Sequence, residues 1–486
     1  MQTLKNLVAG EWLGSDQTWI KTSPFDGRPV ATVHAATREM VDRAVNAGKA
    51  AAFGDWGRMP IRGRVAILRD LHRRLTARLD DLIDADMADT GRSRWQASNF
   101  DGARAIGPFE SYCDLALSLE NRSGDIDLPG GVRGLWLTRR RPKGVIACIA
   151  PWNVPLLMMS LKTAPALVMG NAVIAKPSEE TPSSATVLAE VIKASDLPDG
   201  AFSLLHGFGA GATGEFITTH PGVDAISFTG EPGTGSHIMK AAATGLREVA
   251  MELGGKNAAL IFDDADMDRV IEGTIRSAFF NSGQICFCTE RVLVHRSRHD
   301  EFLERMIAAA NQIVIGEPDH KGFSIGPLVS QAHRAKVMEL MDTVIADGGR
   351  FVAGGTVPVF GDDRDKGAFL RPTIVTGLGP DARFNREELF GPVMHVAPFD
   401  TEAEAIAMAN DTRYGLATVL WTENINRALR VAPQIRVGHA WINSWQMRDL
   451  NSPLTGAGIS GVGEQFGRSS LEFCSQPQTI TVRVFD

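Results

Sequence analysis

From Gly144 onward, short apolar runs alternate with longer stretches of helical periodicity, and this limits what the chain can fold into more than any other feature. Val145–Ala150, Ala172–Lys176, Phe202–His206, Ala225–Thr229 and Ala258–Phe262 have the length and composition of buried strands. Strands joined through helices run parallel, so the pattern predicts an α/β fold on a parallel sheet. A second series follows Asp268, with helices expected near 269–282, 299–313, 331–347 and 402–410 and strands near 291–295 and 393–398. That implies a second sheet. Ahead of Gly144, Arg38–Phe53, Arg62–Asp89 and Gln96–Leu119 read as helices, with apolar residues three and four apart.

The 486 residues are enough for about two to four domains with sizeable cores. Gly131–Lys143, with Leu135-Trp136-Leu137 beside Arg139-Arg140-Arg141, and the alternating terminus Thr479–Phe485 read as edge or arm strands. Exposed strand edges invite pairing with another chain, so a homodimer or homotetramer is expected. A net charge of −7 gives no global positive field, which argues against nucleic acid or an anionic membrane as partner. Met1–Trp12 contains no signal-peptide core, and the longest apolar run, Pro155–Gly170, is broken by Ser160, Lys162 and Thr163. A soluble cytoplasmic protein is the expectation. Cys113, Cys148, Cys286, Cys288 and Cys474 are too few and too scattered for a disulfide framework. No metal site is expected either.

Five segments are candidates for chemistry. Gly209-x-Gly211-x-x-Gly214 formally matches a dinucleotide fingerprint, but no strand ending in Asp or Glu follows about twenty residues later, so it reads as a turn opening a helix. Phe228-Thr229-Gly230-Glu231-Pro232-Gly233-Thr234 is a better phosphate cradle, because Pro232 suits a first helical position and free amides there face an anion. Glu231 would repel a phosphate, or serve as an ordinary helix-start carboxylate. Lys176-Pro177-Ser178-Glu179 pairs a lysine with a carboxylate able to hold two ribose hydroxyls, and Glu179 would oppose a 2′-phosphate, favouring NAD over NADP. Finally, Glu252-Leu253-Gly254-Gly255-Lys256 and Asn281-Ser282-Gly283-Gln284-Ile285-Cys286 set a carboxylate and a glycine-flanked thiol 34 residues apart. Taken singly, Cys286 is a small buried hydrophobe and Glu252 a charged helix-end residue.

Together with Pro151-Trp152-Asn153, Glu388-Leu389-Phe390-Gly391-Pro392 and Trp441-Ile442-Asn443, these blocks resemble the ordered motifs of the NAD(P)-dependent aldehyde dehydrogenase superfamily along nearly the whole chain. The resemblance implies two Rossmann-like parallel-sheet domains and a small β oligomerisation arm. It divides the chain into a cofactor domain over 1–123 and 143–254, a catalytic domain over 255–469 and an arm over 124–142 and 470–486. It implies Cys286 as nucleophile, Glu252 as general base, Asn153 as oxyanion amide and Lys162 in a proton relay. NAD would meet Ile149, Ala150, Pro151, Trp152, Lys176, Ser178, Glu179, Gly209, Thr229, Gly230, Glu231, Thr234, Leu253, Glu388 and Phe390. Cys288 is not the motif cysteine and reads as packing.

Departures from the family pattern bear on the substrate. Glu231 stands where many members have Ser, Pro453-Leu454-Thr455-Gly456-Ala457-Gly458 lacks the usual aromatic and lysine, and Gln465 removes a second carboxylate, which puts a relay through it in doubt. The Phe-Thr-Gly-Glu variant, Arg448-Asp449-Leu450 and Arg104 resemble the muconic semialdehyde dehydrogenase branch of aromatic ring-cleavage pathways. Two arginines at a pocket mouth would grip a carboxylate, with Val154, Leu161 and Leu454 as further substrate walls. The plainer alternative makes Arg104 a surface helix charge and Arg448 a loop salt-bridge partner. The resemblance therefore implies NAD-dependent oxidation of a carboxylate-bearing semialdehyde. The alternatives are a broad aromatic or aliphatic aldehyde dehydrogenase, a CoA-acylating relative, which Glu252 argues against, and a non-catalytic nucleotide-binding protein on the same fold.

Overall fold

The computed structural model describes residues 1–485, the side chains of Phe100, Asp101 and Ala103 excepted. Among these residues, two large sheets organise the chain. The first runs in the order Gly461–Val462, Glu248–Glu252, Ala225–Thr229, Val145–Ile149, Ala172–Lys176, Phe202–Leu204, Asn6–Val8 and Glu11–Leu13. Its five central strands are parallel and its edges antiparallel. Val145–Ile149 and Ala172–Lys176 are buried at every position, as strands covered on both faces by helices must be. The apolar run noted above becomes the helix Pro155–Val168, which is buried all round and starts on Pro155.

The second sheet runs Arg350–Ala353, Thr373–Thr376, Val393–Phe399, Thr289–His295, Asn257–Ile261, Ala417–Trp421 and His439–Ile442, parallel except for its first strand. A third, three-stranded sheet joins Ser123–Leu128, Val132–Pro142 and Ser475–Val484, so the two arm segments pair with each other. Among the described residues no helix is long and apolar enough to cross a membrane.

Several sequence expectations need correction. The run around Ala258 forms the strand Asn257–Ile261 of the second sheet, and the outer parallel strand of the first is Glu248–Glu252. That strand is hidden in the sequence because a glutamate at each end leaves only Val249, Ala250 and Met251 as an apolar signal. Glu252 thus ends a strand, not a helix. The stretch read as one helix over Arg62–Asp89 splits at Arg78, which leaves helical geometry at φ −110°, ψ 18°. Gln96–Leu119 breaks into the π-helical stretch Ala97–Gly102, the short helix Ala103–Ile106 and the helix Pro108–Leu117, since Pro108 supplies no N–H and begins a helix more readily than it continues one.

Strand order in the first sheet reverses between Val145–Ile149 and Ala225–Thr229, and their carboxyl ends open into a crevice there. Glu252 ends the neighbouring strand at the same level, and Leu253-Gly254-Gly255-Lys256 crosses directly into the second sheet. The motif segments therefore gather where the two sheets face each other.

Candidate active site

A continuous cavity of about 1110 Å³ occupies this crevice. It is lined by Cys286, Glu252 and Asn153, by all the residues expected to hold the dinucleotide, and by Arg104, Val154, Leu161, Arg448 and Leu454. Lys162 alone among the expected residues lies outside it, in a small pocket it shares with Ser227 and Gln465 behind the first-sheet strands.

Cys286 is delivered by an unusual turn. Asn281 (φ 52°), Ser282 (φ 57°) and Gly283 (φ 73°) are consecutive left-handed residues, a costly conformation for the two with side chains. A Cβ on Gly283 would sit 1.9 Å from the Gly391 carbonyl oxygen, so only glycine fits between the nucleophile turn and the Glu388–Pro392 segment. The turn is tied to Asn153: Asn153 Nδ2 donates to the Gln284 carbonyl (2.8 Å), while the Asn153 carbonyl accepts from Asn281 Nδ2 (3.1 Å) and from the Arg92 guanidinium. One hydrogen of the Asn153 amide is thereby used in fixing its orientation, and the second can meet an oxyanion.

Burial pushes the Cys286 thiol up to about 12, with the Glu252 and Glu388 carboxyls adding to the rise and Arg448 and the residue's own N–H opposing it. Burial likewise raises Glu252 to about 8, against the pull of Lys162 and Arg448, and its Oε1 meets no partner. Such a carboxyl can take a proton near neutral pH. Lys162 donates to Ser227 Oγ and Gln465 Oε1, each at 3.2 Å, and burial lowers it to about 8. Gln465 Nε2 in turn donates to the Ala250 carbonyl (3.1 Å). An amide oxygen accepts a hydrogen bond but carries no proton onward, so the branch from Lys162 through Gln465 stops there.

The other end of the cavity suits a dinucleotide. Lys176 Nζ stands 3.7 Å from Glu179 Oε2, a cation and an anion together at a strand end. The helix Pro232–Thr244 begins without a side-chain cap, leaving its first amides for an anion, and the buried Thr229 Oγ1 beside it meets no partner. Glu231 is therefore not a cap: its carboxylate pairs with Lys336 at 2.8 Å, which offsets the repulsion a phosphate would feel. Gly209 and Gly214 border the cavity, with the helix Thr213–Thr219 following the turn at Gly211.

Glu388 accepts from the Gly255 N–H at 2.8 Å, and a Cβ on Gly254 would collide with its carboxylate. Trp152 packs edge-on against Phe390 (5.2 Å) and His333 (5.2 Å), and the His333 ring nitrogen bonds the Phe390 carbonyl at 2.8 Å. These rings wall the middle of the cavity. The segment is held from behind by a buried pair, Lys256 Nζ to Glu290 Oε2 at 2.5 Å, with Glu290 also accepting from the Leu389 and Phe390 N–H groups.

At the catalytic end, Arg448 is half-buried among rings and its covered Nη1 meets no partner. Arg104, exposed on its short helix, borders the same cavity and is near enough to disfavour the charge on Arg448. Sequence reading missed Arg92, Glu290, His333 and Lys336 and gave Asn281 no role of its own; each is tied to a partner distant in the chain, and only the three-dimensional structure reveals such pairs. Cys288 is buried packing, with its sulfur toward the Phe280 carbonyl.

Residues 12–480 match the aldehyde dehydrogenase family. The chain is 47% identical over 484 residues to a 2-aminomuconic 6-semialdehyde dehydrogenase of Pseudomonas sp, covering 100% of this chain and 99% of that one. It is 44% identical to the 2-hydroxymuconic semialdehyde dehydrogenase of Pseudomonas sp. (strain CF600), with 100% of both chains covered. Among solved structures, betaine aldehyde dehydrogenase from Staphylococcus aureus in complex with NAD+ superposes with a TM-score of 0.93 at 33% identity, covering 98% of this chain and 94% of that one.

Proposed function

Because the chain belongs to the aldehyde dehydrogenase family, we propose that it oxidises a carboxylate-bearing semialdehyde, of the kind aromatic ring cleavage produces, to the corresponding acid with NAD as acceptor. The observation that carries the substrate class is Arg448. Its side chain lines the cavity that holds Cys286, its covered Nη1 has no hydrogen-bond partner, and a second guanidinium, Arg104, borders the same space. Guanidinium groups bind carboxylates through paired N–H donors, and a carboxylate distal to the aldehyde would suit Arg448 at this end of the cavity. The relatives named for muconic semialdehydes favour the same class.

In this reading the Cys286 thiolate adds to the aldehyde carbon, forming a C–S bond as the carbonyl π pair moves to oxygen. The free hydrogen of the Asn153 amide and the Cys286 N–H stabilise that oxyanion. Bound NAD supplies the acceptor for the hydride that leaves as the tetrahedral carbon collapses to a thioester. Glu252 then takes a proton from water, the hydroxide adds to the thioester carbonyl, and the C–S bond breaks to release the acid and restore the thiolate. Lys162 acts on Glu252 through its charge from behind the strands.

Lys176, Ser178 and Glu179 would bind the adenosine ribose, the amides at Gly233 and Thr234 the pyrophosphate, and Glu388 with Phe390 the nicotinamide ribose and ring. Glu179 opposes an added 2′-phosphate, so kcat/KM with NAD should exceed that with NADP by about tenfold or more. Equal values would remove Glu179 as the discriminator.

The substrate class is tested by Arg448→Ala. Truncating one partner of a desolvated charge pair costs about 2–5 kcal/mol, so kcat/KM for a carboxylated semialdehyde should fall accordingly. The methyl ester of the same compound should lose far less. Equal losses on acid and ester would favour the broad-specificity alternative.

A further inference from the structure

Arg448 is held in place by aromatic rings, since no carboxylate lies within ion-pair distance of it among the described residues. The Phe466 ring centroid lies 4.2 Å from its guanidinium carbon, and the Phe287 ring 5.6 Å. Phe466 is itself tightly fixed. It is 3% exposed, sits in the left-handed region at φ 70°, and donates its N–H to Ser470 Oγ at 2.8 Å. The Tyr112 hydroxyl donates to that same Oγ at 3.1 Å. Arg448, by contrast, lies in the irregular segment 443–457, between Met447, whose carbonyl accepts from the Trp441 indole N–H at 3.1 Å, and Asp449, whose carboxylate accepts from the Asn451 N–H at 2.7 Å.

The chemistry of this choice matters. A carboxylate beside Arg448 would occupy its donors and compete with an incoming anion. A ring face attracts the cation without using any N–H, so the guanidinium is ordered in advance and its hydrogen bonds stay available. We propose that Phe466 is the positioning residue that orders the Arg448 guanidinium and leaves its N–H donors for the distal carboxylate of the substrate, making Phe466 a determinant of acid over neutral aldehydes. The proposal rests on the carboxylate-bearing substrate argued above.

The test compares the full-length protein with Phe466→Leu, Phe466→Met and Phe466→Tyr, alone and with Arg448→Ala, on a carboxylated semialdehyde and its methyl ester with NAD. Leu and Met remove the ring without β-branching, and the longer, unbranched Met can refill the space in a different way from Leu, so one of them reports even if the other folds poorly. With the ring lost, KM for the acid should rise about three- to thirtyfold at nearly unchanged kcat, the range for a partly desolvated cation–ring contact. Inhibition by the product acid should weaken in parallel. The ester should be unaffected, Phe466→Tyr should behave like the parent, and the loss should vanish in the Arg448→Ala background. Equal losses on acid and ester, or losses that persist without Arg448, would make Phe466 mere packing and overturn the proposal. If Arg448→Ala itself leaves the acid-to-ester ratio unchanged, the substrate reading fails and this proposal with it. A ratio that collapses in Arg448→Ala but not in the Leu or Met variants rejects the role of Phe466 alone.

Discussion

Cys286→Ala is expected to lower dehydrogenase turnover by about 10⁴–10⁶-fold, the scale for removing a nucleophile from an otherwise intact site. Alanine has no group that can bond the aldehyde carbon, so neither the tetrahedral adduct nor the thioester forms. The turn that presents the residue should survive, because it is built by Asn281, Ser282 and Gly283 and by the Asn153–Gln284 hydrogen bond, none of which involves the sulfur. The dinucleotide end, with Lys176 and Glu179, lies on other strand ends. NAD affinity, followed through the fluorescence of Trp152 in the cavity wall, should therefore change little. Substantial turnover by the folded variant would sink the nucleophile assignment.

Glu252→Gln preserves shape and removes the base. The expected result is a first-turnover burst of NADH followed by a steady rate lower by about 10²–10⁴-fold, because hydride transfer is spared while hydrolysis of the thioester is not. The pH profile adds a second readout. Glu252 accepts a proton only when ionised, and burial raises its carboxyl to about 8 despite Lys162 and Arg448. Below that pH it is protonated and inactive, so the parent's steady rate should climb as pH rises through about 8, and this limb should flatten in the variant. Loss of the burst as well would place Glu252 before hydride transfer, as the base that ionises a Cys286 thiol whose burial pushes it up to about 12.

Local signals made much of this legible beforehand. Strands such as Val145–Ile149 and Ala172–Lys176 are short apolar runs, and helices such as Arg38–Phe53 show a clear apolar stripe. Glu248–Glu252 was not legible, because its pairing to Ala225–Thr229 places the strand and its own residues barely advertise it. The same distinction runs through the site. Cys286, Glu252 and Asn153 stand in motifs that can be read along the chain, although the steric reason for Gly283 and Gly254, the approach of Gly391 and Glu388, appears only in the fold. Lys256 is in one of those motifs too, yet its task, holding Glu290 against the Leu389 and Phe390 amides, depends on two segments that meet only after folding. Gln465 shows the converse: the missing carboxylate was visible in the sequence, and the structure supplies its consequence, an acceptor for Lys162 that cannot pass a proton on.

The account turns most directly on one comparison, kcat/KM of the unaltered protein with NAD on a semialdehyde bearing a distal carboxylate and on the methyl ester of that compound. A carboxylate anchored by Arg448 should favour the acid by at least about thirtyfold, the equivalent of the lower bound for a desolvated charge pair. Equal values, or a faster ester, would contradict the anchor and leave a family member that oxidises aldehydes without regard to their distal charge.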